Sequence, residues 1–480
     1  ADDNTAVGSQ ALFTNTTGAK NTAIGTGALY ANTTAANNTA VGTSSLTANT
    51  TGANNTAVGF SSGVSLTTGA NTVALGAYAA QLLTTGSNNT AVGNATLGAT
   101  GSTAVTGSDN TAVGNSALLA ITTGANNTAV GSKALDANTT AENNTAVGYH
   151  SLTANTTGTA NTAIGMESLK ANTTASNNTA VGLSALELNT TGADNTAVGK
   201  GALDSNTTAS GNTAVGKSSM GANTTGQRNV AMGFQALDAS TTGSDNVAVG
   251  YEAGGGITTG IESTFVGYYA GEATTTADYN TGIGSGALQA NTTGFRNTAV
   301  GARALDANTT AHDNVAVGYD CLTTNTTGTN NVAVGTDSLK ANTTASNNTA
   351  VGTDSLKANT TGASNTAVGS FSLIANTTGD ANVAIGNDCM DSNTTGTNNV
   401  AIGVDALQAN TTADSNTAVG RNALLSNTTG SDNVAVGSQA GDTATTASNG
   451  VYIGKNAGTA VTTGDTNICI GISAGDTLTT

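Results

Sequence analysis

The sequence predicts an all-β protein, a parallel β-solenoid or β-roll in which every short repeat forms one coil. Three observations lead to this class. A motif of the form Asn-(Thr/Val)-Ala-(Val/Ile)-Gly, or a close variant of it, recurs 28 times through the 480 residues, and its glycines are 17 residues apart except for one interval of 21. β-Branched and apolar residues alternate within the motif. Self-similarity at a short, fixed period is typical of stacked repeats that bury a continuous core.

The first element of each coil is a short strand. When the motif glycine is numbered position 5, the typical unit is N-T-A-V-G-x-x-A-L-x-A-N-T-T-G-x-x. Position 2 is β-branched and position 4 is apolar in all 28 units. Because side chains alternate in a strand, these two positions share one face of a strand at positions 1–4. Glycine at position 5 suits a turn that needs positive φ, and the frequent glycines oppose a helix.

Positions 9 and 12 exchange a large aliphatic residue. Position 9 is Leu or Met in 21 units, and position 12 is Asn in 18 of those. Other units reverse the pair, as in Gly63 with Leu66 and Ala80 with Leu83. This volume-conserving swap predicts that both positions serve the same core space. We expect the following residues to anchor the repeat: Gly8, Gly25, Gly42, Val7, Leu186 and Asn189.

The remaining positions predict the surface and the domain plan. All twelve Lys and Arg residues lie at positions 6, 7, 10 or 17, which should therefore face solvent. The repeat predicts a single continuous domain over residues 1–480, with a four-residue insertion within 94–109 and irregular coils at about 251–279. Stacked at strand spacing, 28 coils would extend roughly 130 Å.

The strand motif also suggests self-association. Ala at position 3 lies on the opposite strand face from Val at position 4, and a small residue there would let a neighbouring chain approach closely. We therefore predict a parallel homotrimer, with a single solenoid as the alternative, although Phe265, Gly282 and Tyr452 interrupt the alanine column. The two chain ends are in phase with the repeat, which fits either a longer protein or head-to-tail stacking into a filament.

Composition and motifs exclude several function classes. The formal net charge of −17 disfavours nucleic-acid binding, and no apolar run is long enough to predict insertion into a membrane. His150 and His312 are isolated, so we predict no catalytic residues and no enzyme. The Asp- and Asn-rich turns could bind calcium, but about one carboxylate per coil favours solvated turns, and we expect no cofactor or metal site.

The three cysteines lie in positions that alanine usually occupies. Cys321 and Cys389 are at position 8 and Cys469 is at position 3, so we expect small buried hydrophobic residues. Cys321 and Cys389 lie four coils apart, roughly 19 Å at strand spacing, which is beyond the reach of a disulfide.

The NTAVG…AL…ANTTG unit resembles the repeats of bacterial and phage tail-fibre and surface-fibre proteins. It is also similar to the head repeat of YadA-like trimeric autotransporter adhesins, whose core is of the NSVAIG type. The VG-Y-x-A-G units at Gly250 and Gly267 look like a second variant. The resemblance implies a left-handed, usually trimeric β-roll that is extracellular, on a cell surface or virion fibre, and that holds or forms an adhesive tip. The chain departs from that family by its 17-residue period.

Three functions follow as hypotheses. The first is a structural segment of an extracellular fibre or filament, without catalysis. The second is an adhesin head or tail-fibre segment that binds a surface glycan or receptor, with a candidate patch at Tyr251, Tyr268, Tyr269 and Tyr279. The third is ice binding through the Thr-Thr column at positions 13 and 14, which is disfavoured because adjacent strand residues point to opposite sides.

Overall fold

The predicted parallel β-solenoid is confirmed. A computed structural model describes residues 2–479, and the chain divides into two units, residues 2–242 and residues 243–479. Each unit contains 14 strands of three residues, and no helix occurs among the described residues. Within each unit every strand pairs in parallel with the next one along the chain, so each 17-residue unit forms one coil.

The strands of the first unit all have the motif's Thr-Ala-Val or a close variant. They are β1 (Thr5–Val7), β2 (Thr22–Ile24), β3 (Thr39–Val41), β4 (Thr56–Val58), β5 (Val73–Leu75), β6 (Thr90–Val92), β7 (Thr111–Val113), β8 (Thr128–Val130), β9 (Thr145–Val147), β10 (Thr162–Ile164), β11 (Thr179–Val181), β12 (Thr196–Val198), β13 (Thr213–Val215) and β14 (Val230–Met232).

The strands of the second unit follow the same pattern, with Phe, Gly, Tyr or Cys at the central position in four of them. They are β15 (Val247–Val249), β16 (Thr264–Val266), β17 (Thr281–Ile283), β18 (Thr298–Val300), β19 (Val315–Val317), β20 (Val332–Val334), β21 (Thr349–Val351), β22 (Thr366–Val368), β23 (Val383–Ile385), β24 (Val400–Ile402), β25 (Thr417–Val419), β26 (Val434–Val436), β27 (Val451–Ile453) and β28 (Ile468–Ile470).

The four-residue insertion leaves the strand register intact. Strands β6 and β7 pair Thr90 with Thr111, an offset of 21 residues instead of 17. The extra residues lie in an exposed segment at 100–104, after which Val105 is buried and forms a bridge with Leu83 of the preceding coil. The coils of β15, β16 and β17 keep the 17-residue register, so the departures at 251–279 lie in side chains.

The strand faces are opposite to the expectation. Positions 2 and 4 do share a face, but it is the outer one, whereas alanine at position 3 is buried, as Ala180 shows between half-exposed Thr179 and Val181. The prediction that the alanine column faces a neighbouring chain is therefore wrong. Val7 is 57% exposed and does not anchor the core. Alternation fixes which positions share a face, but it cannot tell which face is inside.

The large residues at position 3 also point inward. Phe265 and Tyr452 are fully buried. Glycines make the room for them, since a Cβ at Gly271 would collide with the Phe265 ring and one at Gly450 would lie 2.5 Å from the Tyr452 hydroxyl oxygen. These residues therefore interrupt the packing of small side chains inside the coil and leave the outer face unchanged.

Positions 9 and 12 both face the interior, as predicted. Leu186 and Asn189 are fully buried, and so is Leu66 at position 12 of a coil that has Gly63 at position 9. Leu186 adopts a left-handed backbone with φ of +52°. This conformation costs a non-glycine residue about 1–2 kcal/mol, so a glycine at position 9 loses core contacts but relieves strain.

We expect Leu186→Gly and Asn189→Leu to be energetically coupled. Each single change should destabilise the coil, because the first removes a buried leucine and the second crowds Leu186 with another aliphatic side chain. The double variant should be more stable than the sum of the two predicts by about 1 kcal/mol or more, measured as a double-mutant cycle in urea unfolding. Additive effects would show that the two positions do not share space.

Two buried asparagine columns hold consecutive coils together. At position 1, the backbone N–H of Asn178 donates to Oδ1 of Asn161 at 3.0 Å, and its Nδ2 donates to the Gly192 carbonyl at 2.9 Å. At position 12, Nδ2 of Asn189 donates to Oδ1 of Asn172 at 3.0 Å and to the same Gly192 carbonyl at 2.9 Å. The backbone carbonyl at position 15 thus accepts hydrogen bonds from both side-chain amides, and so links positions 1 and 12 of one coil.

Threonine at position 13 forms a further column. The Thr190 hydroxyl donates to the Thr207 carbonyl of the next coil at 3.0 Å, and the Thr173 hydroxyl donates to the Thr190 carbonyl at 3.2 Å. The position-13 threonines of the Thr-Thr column therefore use their hydroxyls to link consecutive coils. These hydroxyls do not form an unoccupied outer array.

Candidate binding surface

The two histidines lie in separate side-chain contacts, away from any cluster of metal-binding groups among the described residues. No group of three or more His, Cys, Asp or Glu side chains within 2–479 could hold a metal ion. His150 packs against the Tyr149 ring at a centroid distance of 4.1 Å, and His312 contacts Asp313 at 2.7 Å. In the same part of the chain no helix is long and apolar enough to cross a membrane.

The cysteines lie inside the coils, as expected. Cys321, Cys389 and Cys469 are buried and free. The Cys321 thiol donates to the Ala333 carbonyl and the Cys389 thiol to the Ala401 carbonyl, both at 3.2 Å. Burial raises the pKa of each of these two thiols to about 12. They are structural side chains and not nucleophiles, because the thiolate is the reactive form.

We expect Cys321 and Cys389 to resist alkylation in the folded protein. With pKa values of about 12, almost no thiolate is present at pH 8, and burial blocks access to the reagent. Iodoacetamide followed by peptide mass spectrometry should leave both residues unmodified in native protein and modify both in guanidinium chloride. Rapid labelling of native protein would contradict the buried placement.

Charged side chains on the second unit form an ion-pair ladder over three consecutive coils. Lys340 Nζ lies 3.0 Å from carboxylate oxygens of both Asp320 and Asp337, and Lys357 Nζ lies 3.0 Å from those of Asp337 and Asp354. Burial alone would raise the pKa of Asp337, but hydrogen bonds from Lys357 and Lys340 lower it overall. These charges satisfy one another, so the ladder links coils and is not a candidate site.

The outer strand face, formed by the side chains at positions 2 and 4, carries no charge in either unit. Thr occupies position 2 in 12 of the 14 strands of the first unit, and position 4 is always aliphatic or Met. Ile24, Ile164 and Met232 at position 4 are 40–44% exposed. This regular, uncharged and partly apolar face is a candidate interaction surface.

The most distinctive side-chain cluster is the tyrosine patch, defined as Tyr251, Tyr268 and Tyr269. Tyr251 and Tyr268 occupy position 6 of consecutive coils and stack with centroids 5.4 Å apart, while Tyr269 lies edge-on to both, at 5.4 and 4.2 Å. Tyr251 is 40% and Tyr268 54% exposed. Tyr279 lies at position 17, on the second turn of its coil, and is not in these ring contacts.

The acidic groove, lined by Glu272, Gln289 and Asp306 with three alanines, lies on the same unit as the tyrosine patch. It has a volume of about 570 Å³. Nε2 of Gln289 donates to Glu272 at 2.8 Å, and burial raises the pKa of Asp306, an effect opposed by the charge of Arg303. Sequence reasoning missed this groove, although its polar residues all occupy position 10 of consecutive coils and a column-by-column comparison would have revealed them.

No protein-family model matches the chain, and no curated protein matches it significantly.

Proposed function

We propose that the protein is a structural, non-catalytic segment of an extracellular fibre on a cell surface or virion. The observation that carries this proposal is the unbroken stacking within each unit, where all 14 strands pair in parallel with their neighbours, at one register apart from the single insertion. Buried asparagine columns along the coils add hydrogen bonds that depend only on the next coil. Such repetition supports an elongated mechanical element, because stability is distributed over nearest-neighbour contacts.

Immunogold electron microscopy of the producing cells or virions tests this proposal. Antibodies against the chain should label filaments outside the cell or on the particle. Label confined to the cell interior would overturn it. An antibody raised against the exposed 100–104 segment is suited to this experiment, because the segment is accessible in the folded protein.

The outer strand face supports self-association, and a homotrimer is the assembly we propose for it. Burying Thr and aliphatic side chains from many consecutive strands against identical faces adds apolar contact without desolvating charge. Val198→Glu should lower the mass found by analytical ultracentrifugation from trimer to monomer, whereas Lys200→Glu, two residues away at an exposed turn, should not. A trimer that persists in Val198→Glu would exclude this face, and a monomeric wild type would exclude the homotrimer.

The second candidate function is adhesion through the tyrosine patch. Three contacting rings, two of them 40% exposed or more, form a larger aromatic cluster than the ring pairs Phe13–Tyr30 and Phe60–Tyr78 of the first unit. Aromatic side chains with an apolar body and a polar end are enriched at binding interfaces. Attachment of beads coated with the protein to host or bacterial surfaces, compared with beads coated with Tyr268→Ala, tests this function.

A further inference from the structure

The three rings of the tyrosine patch contact one another in two different ways. Tyr251 and Tyr268 belong to consecutive coils and stack, with an interplanar angle of 25° and centroids 5.4 Å apart. Tyr269 meets Tyr251 at 90° and Tyr268 at 64°, so both of its contacts are edge-to-face. The stacked pair therefore directs the π orbitals of its ring carbons at each other across two coils, which the edge-to-face contacts do not.

The phenol groups of the patch are hydrogen-bonded to one another and to a carboxylate. The hydrogen bond with Glu252 raises the pKa of Tyr251, and the hydrogen bond with Tyr268 raises the pKa of Tyr269. These phenols therefore keep their protons at neutral pH, and Glu252 is placed to accept the proton of Tyr251. Because a phenol that loses an electron becomes a strong acid, a hydrogen-bonded carboxylate favours oxidation of Tyr251 to a neutral phenoxyl radical.

We propose that Tyr251 and Tyr268 are the site of an oxidative cross-link, a dityrosine that covalently joins two consecutive coils. The oxidant is a haem peroxidase that uses hydrogen peroxide, and it removes one electron from each ring while each phenol loses its proton. The two phenoxyl radicals then form a carbon–carbon bond between their ortho carbons, and the hydrogen on each of these carbons moves to the phenol oxygen. In total the protein loses two hydrogen atoms, and one peroxide is reduced to two molecules of water.

The ring contacts elsewhere do not offer the same reaction. Phenylalanine and histidine cannot form a phenoxyl radical, and one of them is present in each of the other ring pairs described within the two units, namely Phe13–Tyr30, Phe60–Tyr78, Tyr149–His150 and Phe295–His312. The proposed bond spans one 17-residue repeat, and closing that loop restricts the unfolded chain. The inference goes beyond the fibre and adhesion proposals and does not depend on either.

Oxidation of the full chain by peroxidase and hydrogen peroxide, in a dilute mixture of unlabelled and isotope-labelled protein, tests the inference. Mass spectrometry should find Tyr251 and Tyr268 peptides of the same label joined with the loss of two hydrogen atoms. Tyr268→Phe keeps the stacked ring but should abolish this product. Tyr149→Phe is the matched control, because Tyr149 is a position-6 tyrosine that is 53% exposed against 54% for Tyr268, and the yield should not change.

The carboxylate is tested by Glu252→Gln, which should slow formation of the linked peptide about tenfold, less than the loss of a buried catalytic base because water also accepts the proton. An unchanged rate would remove Glu252 from the proposal. Two outcomes would overturn the cross-link itself: no Tyr251–Tyr268 peptide in the oxidised wild type, or links mainly between differently labelled chains. Circular dichroism verifies that Tyr268→Phe and Glu252→Gln retain the fold, so that a lost product reports on the chemistry.

Discussion

Gly199→Ala is expected to disrupt its coil and the next one. Gly199 has φ of +140°, which side-chain-bearing residues rarely adopt, and a Cβ would lie 2.6 Å from the carbonyl carbon of Gly216 in the following coil. Backbone strain and overpacking each cost about 1–3 kcal/mol, so the total is roughly 2–6 kcal/mol. Hydrogen exchange should show lost protection in peptides covering these two coils, with a lower melting temperature.

Gly201→Ala is the matched control in the same coil. Gly201 also has positive φ, at +62°, but the nearest atom to a Cβ there would be Oδ2 of Asp204 at 3.7 Å. The expected cost is only the left-handed backbone, about 1–2 kcal/mol. Equal exchange patterns for the two variants would show that contact between consecutive position-5 glycines does not limit the stacking.

Asn359→Ala should destabilise the second unit by roughly 2–6 kcal/mol. Nδ2 of Asn359 donates to Oδ1 of Asn342 at 3.0 Å, and its Oδ1 accepts from Asn376 at 2.9 Å. The variant leaves two buried amide groups without these partners, each at a cost of about 1–3 kcal/mol. Urea unfolding and the exchange protection of the three coils measure the effect.

The control for this prediction is Asn387→Ala. Asn387 is exposed at position 6 and donates only to the Ser370 carbonyl, at 3.0 Å, so water can replace the lost bond. We expect a change within about 0.5 kcal/mol. If both variants unfold at the same urea concentration, the buried asparagine column does not stabilise the coils beyond ordinary surface hydrogen bonds.

The position-12 asparagine column is already interrupted in the chain, as it would be in Asn359→Ala. Oδ1 of Asn49 and Oδ1 of Asn427 are buried without a hydrogen-bond partner. In each case the next coil replaces Asn at position 12, with Leu66 and Ala444 respectively. The column can therefore be interrupted, but an interruption leaves an unsatisfied acceptor in the preceding coil.

The repeat spacing predicted the fold because each 17-residue unit forms one coil of the solenoid. Coil number, strand position and the site of the insertion all follow from the spacing of glycines such as Gly93 and Gly114. Which face of each strand points inward could not be predicted in this way. Alternation is the same for both faces, and small alanines fit equally well inside a narrow coil or against a partner chain. Residues such as Phe265 and Tyr452 would have resolved this, since glycines at compensating positions accompany them.

The candidate site was only partly predictable. Tyr251, Tyr268 and Tyr269 stand out in the sequence because three tyrosines occupy positions 6 and 7 of two consecutive units, and the structure brings their rings together. Tyr279 is close in sequence but occupies a position on another turn. The groove residues, such as Glu272, are ordinary surface side chains individually, and they line one groove because coil stacking aligns them across three repeats.

The exposed segment at 100–104 has a consequence for engineering. Strands β6 and β7 pair in register although four additional residues separate them, because the surplus leaves the coil and Val105 returns to it. The entropy cost of a longer loop rises only slowly with its length. An epitope tag, a fluorophore-accepting peptide or a small folded domain inserted there would be displayed outward while the flanking coils stay paired, which makes this turn a grafting position built by a natural insertion.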